Sequence, residues 1–311
     1  MFDTNIVPAA LRAMPRWWRE GTGWLDELPR LAGEQCRRWG LEPDGAVAHG
    51  SNALVIMVTR GGERLALRLA PPSAEAEVVA QCAALRFWGG RGTVRLVDAD
   101  PGRGAMLLER LSAGRSLLDE PVRVAVVELG RMMRRLAVPA PADVPTTADR
   151  VRDLEPEWRR LGAPFPADVL SVALNVVPDL RQRGRTSASL VDVDATPMSA
   201  VNADLHSAQV LRGRRDGREE WLAVDPVLLR GDIEYDLARV LWTRLDEMAD
   251  DEVIGHFDAA VAAAEVDPRR AWDWVVYRAV DYWLWGLGRG LTEDPQRCHR
   301  LITIMRSRRH R

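Results

Sequence analysis

The spacing of apolar positions divides the chain into a short sheet-forming stretch and a longer helical one. Over residues 8–40, Leu11, Trp17, Trp18, Trp24, Leu25, Leu28 and Leu31 recur at intervals that fit one helix face, with Gly40 as its end. After Pro43-Asp-Gly45 the period shortens. Ala46–His49, Leu54–Arg60 and Arg64–Leu69 are predicted strands. Leu65, Leu67 and Leu69 alternate with Ala66, Arg68 and Ala70, and Arg60-Gly-Gly-Glu63 supplies a hairpin turn. A helix over 73–88 follows Pro71-Pro72, then strands over 94–98 and 105–109 joined by the turn-forming Asp100-Pro-Gly-Arg-Gly104.

Beyond Leu111-Ser-Ala-Gly114 the pattern is mainly helical, over about 121–137, 147–161 and 167–183, where Gly184 can close the run. A strand-rich segment, 189–225, intervenes before helices over 236–249, 251–264 and 269–289. This order predicts an α+β protein of two lobes: residues 1–111, a small β-sheet with a leading helix, and residues 112–311, mainly helical.

Composition narrows the function classes. A chain of 311 residues with 47% hydrophobic content buries a sizeable core. The net charge is −2, and arginines are interspersed with as many acids, so no nucleic-acid-binding stripe is expected. No apolar run approaches the ~18 residues that span a membrane. The amino terminus has no signal-peptide pattern, so a cytoplasmic location and no membrane partner are expected. Cys36, Cys82 and Cys298 are too scattered for a disulfide framework or a zinc site. There is no G-x-S-x-G nucleophile elbow for a hydrolase. The chain contains no lysine, which leaves any phosphate-gripping role to arginine.

The candidate chemistry lies in Asn202-Ala-Asp204-Leu-His206-Ser-Ala-Gln209, in Leu222-Ala-Val-Asp225-Pro226, and in Gly231-Asp-Ile-Glu-Tyr-Asp236-Leu-Ala. Asp204 and Asp225 each fall where an apolar strand gives way to a loop. Two carboxylates so placed suit the joining of a substrate hydroxyl to a metal-bound nucleotide phosphate. These segments, with Ala105-Met-Leu-Leu-Glu109-Arg-Leu111, resemble the aminoglycoside phosphotransferase-like kinases, most closely the streptomycin/hydroxyurea phosphotransferase group.

The resemblance implies a bilobal, protein-kinase-like fold and an ATP- and Mg²⁺-dependent phosphotransferase acting on a hydroxyl of a small molecule. Asp204 matches the catalytic aspartate, and Asp225 the metal-binding one. Gln209 stands where the family has a metal-binding Asn, and Asn202 where it has a His. His206 matches and is expected to be structural. Asp236 is expected to brace the catalytic loop. On the nucleotide side, Gly45–Ala53 corresponds to the phosphate loop, with Ser51 and Asn52 as side-chain donors. Arg68 replaces the phosphate-binding lysine. The family's glutamate position falls on Gln81, leaving Glu77, one helical turn earlier, to pair with Arg68. Backbone groups near Glu109 and Leu111 would read the adenine.

Trp272, Trp274, Tyr277, Tyr282, Trp283 and Trp285 crowd one predicted helix, mostly as core, with one or two left to line an acceptor pocket. Arg289 stands nearby, with Asp281, Glu293 and Asp294 as the local acids. A smaller or less cationic hydroxyl acceptor fits that balance at least as well as an aminoglycoside does. The departures at Arg68, Gln81, Asn202 and Gln209 leave two alternatives open: a pseudokinase-like binding module, and a kinase of peptide Ser/Thr side chains.

Overall fold

The computed structural model describes residues 6–14, 16–50, 52–186 and 198–308. It divides into two compact units, Met1–Gly114 with Leu211–Val224, and Arg115–Val210 with Asp225–Arg311. A hairpin late in the sequence thus belongs with the first unit.

In the first unit, the expected leading helix is broken into α1 (Ala9–Arg12), α2 (Trp17–Glu20) and α3 (Gly23–Trp39). Gly21, at φ +78°, adopts a backbone conformation that ends α2 and that an L-residue rarely takes. Next come β1 (Glu42–His49), β2 (Leu54–Arg60), β3 (Glu63–Leu69), α4 (Glu75–Trp88), β4 (Leu96–Asp100) and β5 (Ala105–Glu109). The five strands form one sheet in the order β1-β2-β3-β5-β4, every neighbour antiparallel.

Leu65, Leu67, Leu69, Ala105 and Leu107 cover one face with Leu25, Leu28, Ala32 and Cys36 of α3. Ala70, Met106 and Leu108 cover the other with Val78, Cys82 and Leu85 of α4. Each fully buried Leu or Met of this kind is worth about 1.5–3 kcal/mol over leaving it exposed. Because both faces are covered, the polar half of the β3 alternation is not a solvent face. Arg68, opposite Met106 across the strands, is only 3% exposed. β6 (Ser112–Ser116), β8 (Val210–Arg215) and β9 (Arg218–Ala223) form a second sheet in the order β6-β8-β9.

The second unit contains α5 (Val122–Leu136), α6 (Glu155–Arg160), α7 (Ala167–Leu174), α8 (Val177–Thr186), β7 (Ser199–Asn202) and β10 (Leu228–Gly231). These are followed by α9 (Leu237–Trp242), α10 (Glu252–Ala264), α11 (Pro268–Leu287) and α12 (Glu293–Arg308). Several boundaries depart from expectation. The helix expected over 147–161 begins instead as a tight turn, with the Thr146 and Asp149 side chains each accepting the other's backbone N–H, and is helical only over α6. The helix expected over 167–183 splits into α7 and α8, and α8 runs past Gly184 to Thr186. The strands expected between 189 and 197 lie outside the described residues. α12 had no counterpart in the sequence reading, yet Cys298, Leu301, Ile302 and Met305 form a fully buried face at helical spacing.

The crossing of α5 and α10 depends on Gly130. A Cβ there would lie 2.5 Å from the Ala260 carbonyl oxygen and 2.9 Å from Ala263 Cβ. Gly130→Ala should therefore destabilise the protein by roughly 2 kcal/mol in urea unfolding, overpacking outweighing the gain of up to about 1 kcal/mol in helix propensity. Among the described residues no helix is long and apolar enough to cross a membrane.

Candidate active site

β7 and β10 pair antiparallel, with Asn202 opposite Leu228. The register alone brings the chain leaving β7 beside the chain entering β10. Asp204 lies two residues beyond one strand end, and Asp225 three residues before the other. The Ala203 N–H donates to the Val227 carbonyl at 2.8 Å. Asn202, 1% exposed, completes the junction: its Oδ1 accepts the Val227 N–H at 3.0 Å and the Asp204 N–H at 3.4 Å. Its replacement of the family's His thus yields a clip between the two acidic loops.

Asp204 is half-buried, and both carboxylate oxygens are engaged. Oδ2 accepts the Gln209 Nε2 hydrogen at 2.8 Å, and Oδ1 is ion-paired with Arg239 Nε from α9. Burial pushes its carboxyl above the ordinary value and Asp225 adds to this, while Arg239, Gln209 and Arg278 pull the other way. Asp225 is therefore near enough for its charge to act on Asp204.

Asp236, 1% exposed, is driven well up by burial, relieved in part by Arg278 and the Leu205 N–H. His206 is pushed down to about 3, by burial first and then by Arg239, and is neutral at physiological pH. Asp232 does not join this group: it is held by Arg270 and by the Trp274 indole N–H at 2.8 Å.

Gln209 Oε1 is buried and has no hydrogen-bond partner among the described residues, while Nε2 of the same amide is committed to Asp204. An oxygen so orphaned beside carboxylates suits a hard cation. Among the described residues no three His, Cys, Asp or Glu side chains form a metal cage. Mg²⁺ ordinarily takes one or two protein oxygens and completes its shell with water and phosphate. Gln209 and Asp225 are the right donor types for such a site.

The predicted nucleotide-side residues all belong to the first unit. Arg68 Nη2 donates to Asn52 Oδ1 at 3.4 Å, and Asn52 Nδ2 donates to Glu77 Oε2 at 3.5 Å, so Asn52 links the arginine to the acid. Gln81 Oε1 is buried without a hydrogen-bond partner among the described residues. Ser51 lies outside the described residues. The Glu109 carboxylate is ion-paired with Arg215, and the Glu109 N–H donates to the Arg95 carbonyl at 3.0 Å. That N–H is therefore engaged within the first unit. Leu111 lies against the β8–β9 hairpin, where a Cβ on Gly213 would meet its Cδ2 at 2.9 Å.

Sequence reasoning missed Arg239, Arg278 and the stacking around Tyr282. Arg239, in the first turn of α9, follows the N-cap residue Asp236 by three positions, the spacing of neighbours on a helix. Arg278 Nη1 donates to the Tyr235 carbonyl at 2.8 Å, and its guanidinium lies 3.9 Å from the Tyr235 ring centre.

A sequence profile described as aminoglycoside/hydroxyurea antibiotic resistance kinase matches residues 38–290. The chain belongs to that family. A streptomycin 6-kinase of Streptomyces griseus is 35% identical over 295 residues, covering 88% of this chain and 87% of its own length. A hydroxyurea phosphotransferase of Kitasatospora aureofaciens is 34% identical over 297 residues, covering 89% of this chain and 78% of the relative. The fold is shared with the crystal structure of aminoglycoside phosphotransferase APH(4)-Ia, at a TM-score of 0.60 and 16% identity over 89% of this chain and 98% of that one. As a member of this family the chain is a kinase, a phosphotransferase with a small-molecule hydroxyl as acceptor. That activity, and not a binding module or a peptide kinase, is what the relatives share.

Proposed function

We propose that the reaction is transfer of the γ-phosphoryl group of ATP, with Mg²⁺, to a hydroxyl of a small molecule that is not a polycation. The observation that carries the reading is the pairing of β7 with β10, which brings Asp204 and Asp225 close enough for one charge to act on the other. Asp204 orients the attacking hydroxyl and accepts its proton. Gln209 Oε1 and Asp225 hold the cation, which when bound neutralises charge on the transferring phosphates. Arg68, tied to Glu77 through Asn52, contacts the nucleotide phosphates, with Ser51, Gln81 and the backbone near Glu109 and Leu111 as further nucleotide contacts. The experiment is transfer of label from γ-labelled ATP to a panel of hydroxyl compounds, hydroxyurea and streptomycin among them. Mg²⁺-dependent labelling of hydroxyurea or another uncharged or anionic compound supports the reading; labelling of streptomycin in preference to these, of protein side chains alone, or none that depends on Mg²⁺, refutes it.

The ion pairs of the second unit bear on the charge of the acceptor. Asp281 is paired with Arg152, Asp294 with Arg297 at 3.1 Å, Glu157 with Arg160 at 2.6 Å, and Asp204 with Arg239. Each of these carboxylates already has a guanidinium. Arg297 is shared by Asp294, Asp246 and Glu293, so the charge there is only partly cancelled, while Asp281, Glu157 and Asp204 each hold a guanidinium that a polycation such as streptomycin would have to displace. Arg152→Gln releases Asp281, and one charge-assisted hydrogen bond is worth about 1.5–3 kcal/mol. The variant should bind streptomycin about tenfold more tightly than the native protein in calorimetry, since ~1.4 kcal/mol is a factor of ten.

A further inference from the structure

Arg239 is the one charged side chain seen to form an ion pair with Asp204 among the described residues, and it is itself held from its far side. Its guanidinium lies 5.9 Å from the Tyr282 ring centre, and the Tyr282 hydroxyl donates to Asp294 Oδ2 at 3.0 Å. The Tyr282 ring cannot easily turn. It is stacked between Trp242, centroids 4.7 Å apart, and Trp285, centroids 5.0 Å apart, both at 16°. Arg289 extends the ladder, 4.1 Å from the Trp285 ring centre. With side-chain exposure of only 20%, Arg239 is unlike the freely solvated arginines of the surface pairs.

The consequence concerns the carboxylate plane. An ionised carboxylate has about four lone-pair sites. Gln209 donates to one on Oδ2, and the Arg239 guanidinium is ion-paired with Oδ1, so the hydrogen bond and the charge together hold the carboxylate from both oxygens. We propose that Arg239 is a positioning residue for phosphoryl transfer: it orients the Asp204 carboxylate toward the acceptor hydroxyl, and the Trp242–Tyr282–Trp285 stack holds Arg239 in that posture. The proposal rests on Asp204 being the base. It goes beyond that reading by giving a role to a cation and an aromatic ladder whose contacts here are with the base and with one another.

The test uses the full chain with Mg²⁺–ATP, hydroxyurea as the probe acceptor, and water as the acceptor when hydroxyurea is left out. Misplacement of a reacting group by about 1 Å costs on the order of a hundredfold. Arg239→Met should lower kcat by about that factor with KM for ATP within about threefold, and Arg239→Lys should recover part of the loss. Tyr282→Phe, which keeps the stack and removes the hydroxyl, should cost about three- to tenfold in kcat.

A melting cycle reads the pair without turnover. Arg239→Met should lower Tm in the native background and by clearly less in an Asp204→Asn background. Equal Tm losses in both backgrounds, or a kcat within about threefold of native for Arg239→Met, would overturn the assignment. If Asp204→Asn itself leaves kcat unchanged, the base reading falls. If Asp204→Asn abolishes turnover and Arg239→Met does not lower it, the Arg239 assignment alone falls.

Discussion

Asp204→Asn is expected to lower phosphoryl transfer about a thousandfold while ATP affinity stays within about threefold of native, because a positioned base contributes 10²–10⁴-fold. The amide keeps the size of the carboxylate and its place beside Gln209, so the loop held by the Asn202 clip should persist. What is lost is the proton acceptor and the partner of Arg239. Nucleotide affinity should be spared because Arg68, Asn52 and Glu77 are assembled independently, in the first unit. Measuring kcat and, separately, ATP binding by calorimetry distinguishes the two effects.

The same carboxyl sets an expectation for pH. Burial holds it above the usual carboxylate value of about 3.9, against the pull of Arg239. The base works only when ionised. Turnover should therefore fall as pH drops through that raised value, with the acid limb of the kcat profile lying above the ordinary carboxylate range.

Asp225→Asn should act on the cation instead. Losing even an outer-shell partner costs 10–100-fold in metal affinity, so losing the one anionic oxygen ligand should raise the half-saturating Mg²⁺ concentration about a hundredfold. Neutralising Asp225 also removes a charge that pushes Asp204 up, so the acid limb should move to lower pH. Stability should change little, since Asp225 is half-buried and the β7–β10 pairing is carried by backbone groups and Asn202. Activity restored at high Mg²⁺ is the outcome that sets this variant apart from Asp204→Asn.

Much of this was legible from residue pattern. The period of two through Leu65–Leu69 and the apolar spacing of Leu25 and Leu28 match the sheet and α3, because each side chain meets a dedicated hydrophobic layer. Arg68 escaped the alternation rule because α4 covers the second sheet face, and coverage is a tertiary fact. The breaks at Gly21 and at the Thr146–Asp149 turn depend on φ angles and local side-chain bonds that compete with helix.

At the site, motif resemblance pointed to Asp204, Gln209 and Asp225, but not to what holds them. Asn202 looked like a loss when set beside the family's His. Its two acceptor bonds, to the backbone amides of Asp204 and Val227, depend on the β7–β10 register, which no local pattern encodes. Arg239 was passed over for the same reason: its partners lie 35 and 43 residues away, at Asp204 and Tyr282.

The central claim is that Gln209 and Asp225 serve one magnesium ion beside Asp204. A crystal structure of the native chain with a non-hydrolysable ATP analogue and Mg²⁺ tests it most directly. Expected are Gln209 Oε1 and an Asp225 carboxylate oxygen each about 2.1 Å from the same ion, as Mg²⁺ requires. A magnesium–nucleotide complex bound with neither oxygen in its coordination shell would contradict it.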